Sequence, residues 1–302
     1  MRLFSRWHLE PSRLDQGRES RAVSDFQQFK RLSVRPLGHV RQAIRKGVYC
    51  GQTAGLAPGK QQCNVAILPL DCAMDFFTYC FRNPRPCPLV HVSDAGDPIM
   101  RPLGHDIDIR TDIPQFNIYR DGRLIETVSD ISDHWRDDLV SFALGCSFSF
   151  EDALLSRGFR LRHIERGRTV PMYRTNVQTR RAGAFWGPTV VSMRPFSPDD
   201  IDDVCEITGR YPYAHGEPIH IGNPERIGIE NLEKPDWGDL PDVQDGELPA
   251  FWACGVTPQV ALRNARPSLC ITHAPGRMLI CDLPNTGPDD NGSPVRDSSH
   301  GS

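Results

Sequence analysis

Val65-Ala-Ile-Leu-Pro-Leu-Asp-Cys-Ala-Met-Asp-Phe-Phe-Thr-Tyr-Cys-Phe81 is the stretch that decides the fold class. Its first six residues form a short apolar run, and such a run reads as a buried strand. Asp71 is placed to cap a following helix. Met74, Phe77, Cys80 and Phe81 keep helical spacing until Asn83-Pro-Arg-Pro breaks it. The same strand-then-helix step returns near the other end of the chain. Thr189-Val-Val-Ser-Met precedes Ser197-Pro198-Asp199-Asp200, which has a cap residue, a proline and acids in the order that opens a helix. Phe251-Trp-Ala-Cys precedes Thr257-Pro258 in the same way. Strands alternating with helices at both ends predict a three-layer α/β main domain, built from residues 36–114 and 187–283.

The middle of the chain reads differently. Phe116-Asn-Ile-Tyr-Arg-Asp-Gly-Arg-Leu-Ile-Glu-Thr-Val is a hairpin turning at Asp121-Gly122. Helices are expected around Asp137–Leu144 and Phe150–Ser156, and a strand over Phe159–Glu165. Residues 115–186 are therefore expected to form a smaller α+β insert. Leu37, Val40, Ala43 and Ile44 mark an early helix, Pro88-Leu-Val-His-Val a short strand, and Leu269–Thr272 with Met278–Cys281 a last strand pair. Residues 1–35 read as a peripheral extension, 231–248 as a polar surface excursion, and 284–302 as a disordered tail.

Composition narrows the class of function. The chain has 302 residues, 39% hydrophobic and 24% charged, with a net charge of −3. No strong basic field draws it to nucleic acid or an anionic membrane. Its longest apolar stretch is interrupted by Pro69, Asp71 and Asp75, so no membrane span is expected. Ten cysteines occur without a C-x-x-C pair and mostly within apolar runs, which fits reduced thiols in a reducing compartment. The cytoplasm is the expected location; the Arg-rich start leaves an organellar presequence open, although Glu10, Asp15 and Glu19 argue against one.

Several Gly/Pro-punctuated polar motifs could carry chemistry, each with a purely structural alternative. Gly55-Leu-Ala-Pro-Gly-Lys-Gln-Gln-Cys-Asn64 could aim Gln62 and Asn64 at a ligand, or use the amides to satisfy its own loop. Gly145-Cys-Ser-Phe-Ser149 sets Ser147 and Ser149 at a helix start, which suits an anion or a simple cap. Arg174 and Asn176 share one face of an extended segment and could grip a carboxylate; a surface ion pair is the alternative for Arg174. Cys254 stands between a strand and the helix opened by Thr257, where a thiol can be reactive or merely packed. His273, in a rigid Thr-His-Ala-Pro-Gly turn, could act as a base or be structural. His215, Glu217, His220 and Asp282 could ligate a metal but lack a diagnostic spacing.

Taken together, the motifs resemble one family, the hydro-lyases that include D-glutamate cyclase. The resemblance rests on Gly-Leu-Ala-Pro-Gly (55–59), Arg-Asn-Pro-Arg-Pro-Cys-Pro-Leu (82–89), Thr-Asp-Ile-Pro (111–114) and Gly-Cys-Ser-Phe-Ser-Phe-Glu (145–151). It continues through Pro-Met-Tyr-Arg-Thr-Asn (171–176), Val-Ser-Met-Arg-Pro (191–195), His-Gly-Glu-Pro-Ile-His-Ile-Gly (215–222), Phe-Trp-Ala-Cys-Gly-Val-Thr-Pro-Gln (251–259) and Thr-His-Ala-Pro-Gly (272–276). Lys60-Gln61 departs from the aromatic or apolar pair usual in the family. The resemblance implies loss of water from a small amino or hydroxy acid, with conversion of D-glutamate to 5-oxo-D-proline as the leading reaction. Under that reading Arg174, Asn176, Ser147, Ser149, Asn64 and Thr257 bind substrate. His273 is the acid/base, with Asp112 or Cys254 as a second proton carrier. No organic cofactor is expected, a divalent metal is left open, the partner is a small carboxylate, and association into a homo-oligomer is left open. A cysteine-dependent hydrolase using Cys254 or Cys146 with His273, and a non-catalytic carboxylate-binding protein, are the competing expectations.

Overall fold

The computed structural model describes residues 27–285, so the expected extension up to residue 26 and the tail from residue 286 lie outside the described residues. The opening stretch of the sequence lies at the centre of the molecule. Strand β1 (Lys60–Pro69) is buried throughout from Gln62 onward, because it is flanked on both sides. One neighbour is β5 (Leu139–Gly145), with Cys63 opposite Gly145 and Pro69 opposite Leu139. Along its other edge lie β10 (Cys270–His273) and β11 (Leu279–Pro284), one after the other. The larger sheet runs β2 (Leu89–Val92), β5, β1, β10, β3 (Phe116–Arg120), β4 (Arg123–Val128), with β11 also on β1, and every pairing is antiparallel.

Alternation along β1 sends its side chains into two cores. Ala66 and Leu68 pack with Phe142 and Leu144 beneath helix α2 (Leu70–Arg82), which contributes Phe76 and Tyr79, and beneath Ala261 and Leu262 of helix α6 (Val256–Ala265). Val65 and Ile67 meet Met100, Leu103, Ile107, Ile109 and Ile113 on the other face. Each such fully buried aliphatic side chain contributes about 1.5–3 kcal/mol of transfer free energy.

A second sheet is inserted in sequence between β5 and β10. Its order is β6 (Met172–Gln178), β7 (Pro188–Phe196), β9 (Leu248–Ala253), β8 (His220–Ile221). One face carries Trp252 and Ala250 against α3 (Phe148–Ser156) and α5 (Ile201–Gly209). The other packs Tyr173, Val191, Met193 and Phe251 against Ile227 and Ile229. The α/β class and the inserted smaller unit stand as expected, with helices layered on two sheets.

Several local expectations are corrected. The 116–128 hairpin belongs to the larger sheet, and the second sheet is drawn from residues 172–253 rather than from 115–186. The stretch Asp137–Leu144, expected as a helix, supplies β5 instead. Its continuous apolar run suits a strand covered on both faces, and periodicity alone does not separate that from a buried helix. Phe159–Glu165, expected as a strand, is coil followed by the short helix α4 (Arg162–Glu165). Here Gly158 leaves α3 with φ +88°, and Arg162 is drawn to Glu247 rather than to a strand neighbour. Asp71 makes no cap hydrogen bond; it lies in the first turn of α2, after Pro69. The last two strands do not pair with each other: Ala66 faces Thr272 whereas Cys63 faces Leu279, so three residues of β1 span seven of the partner chain. The Thr-His-Ala-Pro-Gly turn is the segment that loops out.

All ten cysteines are free, as expected. No helix among the described residues is long and apolar enough to cross a membrane.

Candidate functional site

The junction of the two sheets gathers buried polar groups that an apolar core would exclude. Strand β5 ends at Gly145 and turns directly into α3; strand β9 ends at Ala253 and turns through Cys254-Gly255 into α6. Asn64 of β1 links the two turns. Its Nδ2 donates to the Gly145 carbonyl at 2.9 Å. A Cβ added to Gly255 would fall 2.5 Å from the same amide nitrogen. Gly145 is equally constrained, since a Cβ there would sit 1.5 Å from the Tyr213 carbonyl oxygen.

Arg194 of β7 is the centre of this junction. It is 1% exposed and lies with its guanidinium carbon 4.9 Å from the Phe150 ring centroid and 5.3 Å from that of Trp252. Nε donates to Glu151 Oε1 at 2.9 Å, Nη1 to Ser192 Oγ at 3.0 Å, and Nη2 to Ser147 Oγ at 3.2 Å as well as to Glu151. Glu151, one turn into α3, is 3% exposed. Burial alone would push its carboxyl up, but Arg194 and then His163 outweigh that and hold it at about 2. His163 Nε2 stands 3.2 Å from Glu151 Oε1. Two charges removed from water here persist because each is hydrogen-bonded to the other and to neighbouring hydroxyl or imidazole groups.

On one side the cluster opens to a cavity. A cavity of about 450 Å³ has Arg194 and His163 on its wall with Arg160, Arg162, Arg166 and Arg168, and Asp242 as its one acidic lining residue. Arg162 is held by Glu247 and Asp242, Arg166 by Asp242, and Arg160 by Glu165. The Arg168 side chain makes no ion pair among the described residues. Part of this volume is open solvent, so the site is a shallow cleft, and the guanidinium groups on its wall select an anion.

The expected site residues divide. Asn64, Ser147 and Cys254 converge on this junction, with Thr257 beside them. Thr257 Oγ1 is taken by β7: it accepts from the Val190 N–H at 2.9 Å and lies 3.2 Å from the Val190 carbonyl, so it staples α6 to the second sheet. Gln62 serves its own loop, donating to the Thr53 and Leu56 carbonyls. Ser149 is not a cap: α3 starts one residue earlier, with Ser147 at the cap position, and Ser149 Oγ is buried without a hydrogen-bond partner. Burial pushes the Cys146 thiol up to about 12 against the Phe148 N–H, and the Cys254 thiol up to about 11 against the Val256 N–H. Both are protonated at neutral pH. The sheets are antiparallel, so ligand binding at the carboxyl edge of a parallel sheet has no counterpart here.

The others stand apart. His273 Nδ1 accepts from the Val65 N–H at 3.1 Å, filling the place of the backbone partner lost where the chain loops away from β1. Burial pulls it down to about 4, so it is neutral. Arg174 is half exposed, 3.5 Å from Asp236 and stacked 4.9 Å over Trp237, which is the surface pair weighed as its alternative. Asn176 is exposed on the same strand, against Gly228. Asp112 is clamped by Arg45 at 2.7 Å through both carboxylate oxygens and faces the α1 (Leu37–Arg45) side of the molecule. Glu151, His163, Arg168 and Arg194 were not singled out from sequence. For two of them a signal is in the sequence: Arg194 follows the largely apolar Val190–Met193, and Glu151 follows Phe150 within an apolar helix face.

The metal expectation meets a different set of residues. His105, Asp106 and Asp282 bring one ligand atom each within 4.8 Å of one another. However, Arg41 donates to both carboxylates, and Arg45 adds a 3.2 Å contact to Asp106. Cationic partners already neutralise the acids, which weakens the group as a cation site. Of the expected ligands only Asp282 belongs to it. His215 Nδ1 lies 2.7 Å from the Arg85 carbonyl, His220 Nε2 lies 2.7 Å from the Asn223 carbonyl, and Glu217 pairs with Arg85.

Comparison with known proteins places the chain. Residues 140–282, which hold β5, α3, the second sheet and the last strands, match the family described as D-glutamate cyclase. A Dinoroseobacter shibae protein is 55% identical over 256 residues, covering 85% of both chains. A Bordetella petrii protein is 54% identical, covering 82% of this chain and 93% of its own length, and a Jannaschia protein is 56% identical, covering 81% and 92%. All three carry the name "Putative hydro-lyase". Identity of this level over most of both chains leaves no room for a different fold, and the chain belongs to the hydro-lyase family that includes D-glutamate cyclase.

Proposed function

We propose that the arginine-lined cavity above Arg194 is the active site and that it takes a small carboxylate substrate, with D-glutamate converted to 5-oxo-D-proline and water as the leading reaction. The observation that carries this reading is the buried Glu151–Arg194 pair with Ser147 and His163, of which Arg194 and His163 reach a cavity lined by five arginines among leucine, proline and methionine side chains. Arg168, without an ion pair of its own, is the group available for the substrate's α-carboxylate. Folding glutamate so that its amine meets its γ-carboxyl carbon can contribute roughly 7–11 kcal/mol in effective concentration. The oxygen that becomes negative in the tetrahedral intermediate needs donors, and the guanidinium of Arg194, which lines the cavity and is held by Ser147 and Glu151, is placed to supply them. The attacking amine loses a proton and the departing hydroxide gains one; His163, held against Glu151, is the group placed to carry it.

The competing cysteine hydrolase has less support. Neither Cys146 nor Cys254 has an imidazole partner, and His273 is committed to the backbone of β1. Arg194 favours the thiolate of Cys254, but burial outweighs it and keeps that thiol protonated.

The test is incubation with D- and L-glutamate and a panel of small hydroxy acids, following 5-oxoproline and water loss by mass spectrometry. Ring closure of D-glutamate is expected, with His163→Ala lowering kcat by roughly 10²–10⁴-fold. Absence of ring closure and of water loss across the panel would sink the reading, as would full activity in His163→Ala.

A further inference from the structure

We propose that two copies of this chain pair antiparallel through the outer face of α2, across a twofold axis. The helix buries Ala73, Phe76, Tyr79 and Cys80 beneath it, yet its most apolar stripe faces outward. Leu70, Met74, Phe77 and Phe81 are 57%, 71%, 41% and 74% exposed. Their spacing of four, three and four residues is that of a two-helix seam, not of scattered surface residues. Together they present on the order of 500 Å² of apolar surface, at the upper end of what a monomer leaves uncovered and a large share of the roughly 800 Å² per partner of a standard interface.

The flanking charges select the occupant. Asp71, Asp75, Thr78 and Arg82 form one ridge beside the stripe, acidic at the helix start and basic at its end; Asp75 lies against Gly183, and Arg82 donates to the Arg181 carbonyl through Nη1. When two copies run antiparallel, Leu70 meets Phe81 and Met74 meets Phe77. The same ridge of each copy then faces its counterpart reversed, so Asp71 comes opposite Arg82, and Asp75 opposite Thr78. Both ends of the seam gain an opposite-charge pair. A parallel pairing would instead carry the two ridges to opposite flanks of the seam and leave their charges without a counterpart. The stripe is therefore complementary to itself in one direction only, as a twofold interface requires.

Sedimentation of the full chain tests this. A particle of twice the 33.9 kDa chain mass is expected at micromolar concentration. Met74→Glu with Phe81→Glu should give a monomer with unchanged circular dichroism, because both side chains are exposed in the single chain, and its melting should no longer depend on protein concentration. Asp71→Arg should raise the dimer Kd by about tenfold or more, and adding Arg82→Asp to it should restore the wild-type value. A wild-type monomer, a dimer that persists in the double glutamate variant, or a stripe uncovered only after residues 1–26 are removed would each overturn the proposal.

Discussion

Glu151 keeps its charge 3% exposed to solvent, and Arg194 is the reason. The pair is expensive to bury and more expensive to break. Replacing Glu151 by Ala leaves a guanidinium in the core with Ser147 and Ser192 as its remaining partners, so a loss of about 3–5 kcal/mol is expected in urea unfolding. Glu151→Gln keeps an acceptor for one guanidinium hydrogen bond and should cost less than Glu151→Ala. Equal costs would mean that the charge contributes nothing. Sequence alone shows an acid after Phe150 and an arginine at the end of an apolar run. It cannot show that the two meet, because 43 positions separate them and their contact depends on how the sheets abut.

At the scale of elements, the site depends on two strand-to-helix turns that approach closely. Gly145 ends β5 where the Tyr213 carbonyl lies against it, with no room for a Cβ. Gly145→Ala must push the 211–216 loop away, and backbone on backbone has no flexible side chain to yield. Melting should fall by several degrees, and His215, which that loop carries into the interior, should become accessible to diethyl pyrocarbonate. Unchanged melting and labelling would mean that the loop is free to move. The turns themselves were legible, since Gly-Cys-Ser-Phe-Ser and Ala-Cys-Gly-Val-Thr are short polar breaks between regular segments. The state of the element before one of them was not: 137–144 carries an apolar run that fits either a helix or a strand, and only its place between β1 and β2 decides it.

For the whole molecule, acid should act in two stages. Burial pulls the folded His215 and His273 from 6.5 down to about 4, so between those values the unfolded chain binds more protons. Stability is thus full above pH 6.5 and falls as pH drops toward 4, by roughly 3 kcal/mol per histidine. Glu151 is depressed from 4.5 to about 2, so its contribution is present above pH 4.5 and lost as pH falls toward 2. Urea midpoints from pH 7 to 3 should therefore decline from about 6.5 downward, and His273→Gln should flatten the upper part. A midpoint constant down to pH 5 would contradict the burial of both neutral imidazoles.

The sequence determined the α/β class, the 116–128 hairpin, the helices after Leu70 and Val256, and, through ordered motifs, the family. These rest on local signals: apolar periodicity, turn residues and prolines act within a few positions of the chain. Tertiary structure alone decided that β10 and β11 share one edge of β1, with His273 filling the gap between them. It also decided that Arg174 remains at the surface while Arg194 goes to the centre. The outward face of α2 belongs with these. Val65–Phe81, which predicts a strand and an apolar helix, does not say which apolar side chains of that helix the sheet will cover. That depends on where the strand ends and how the helix is rotated as it packs, and neither is set by residues near it in the chain.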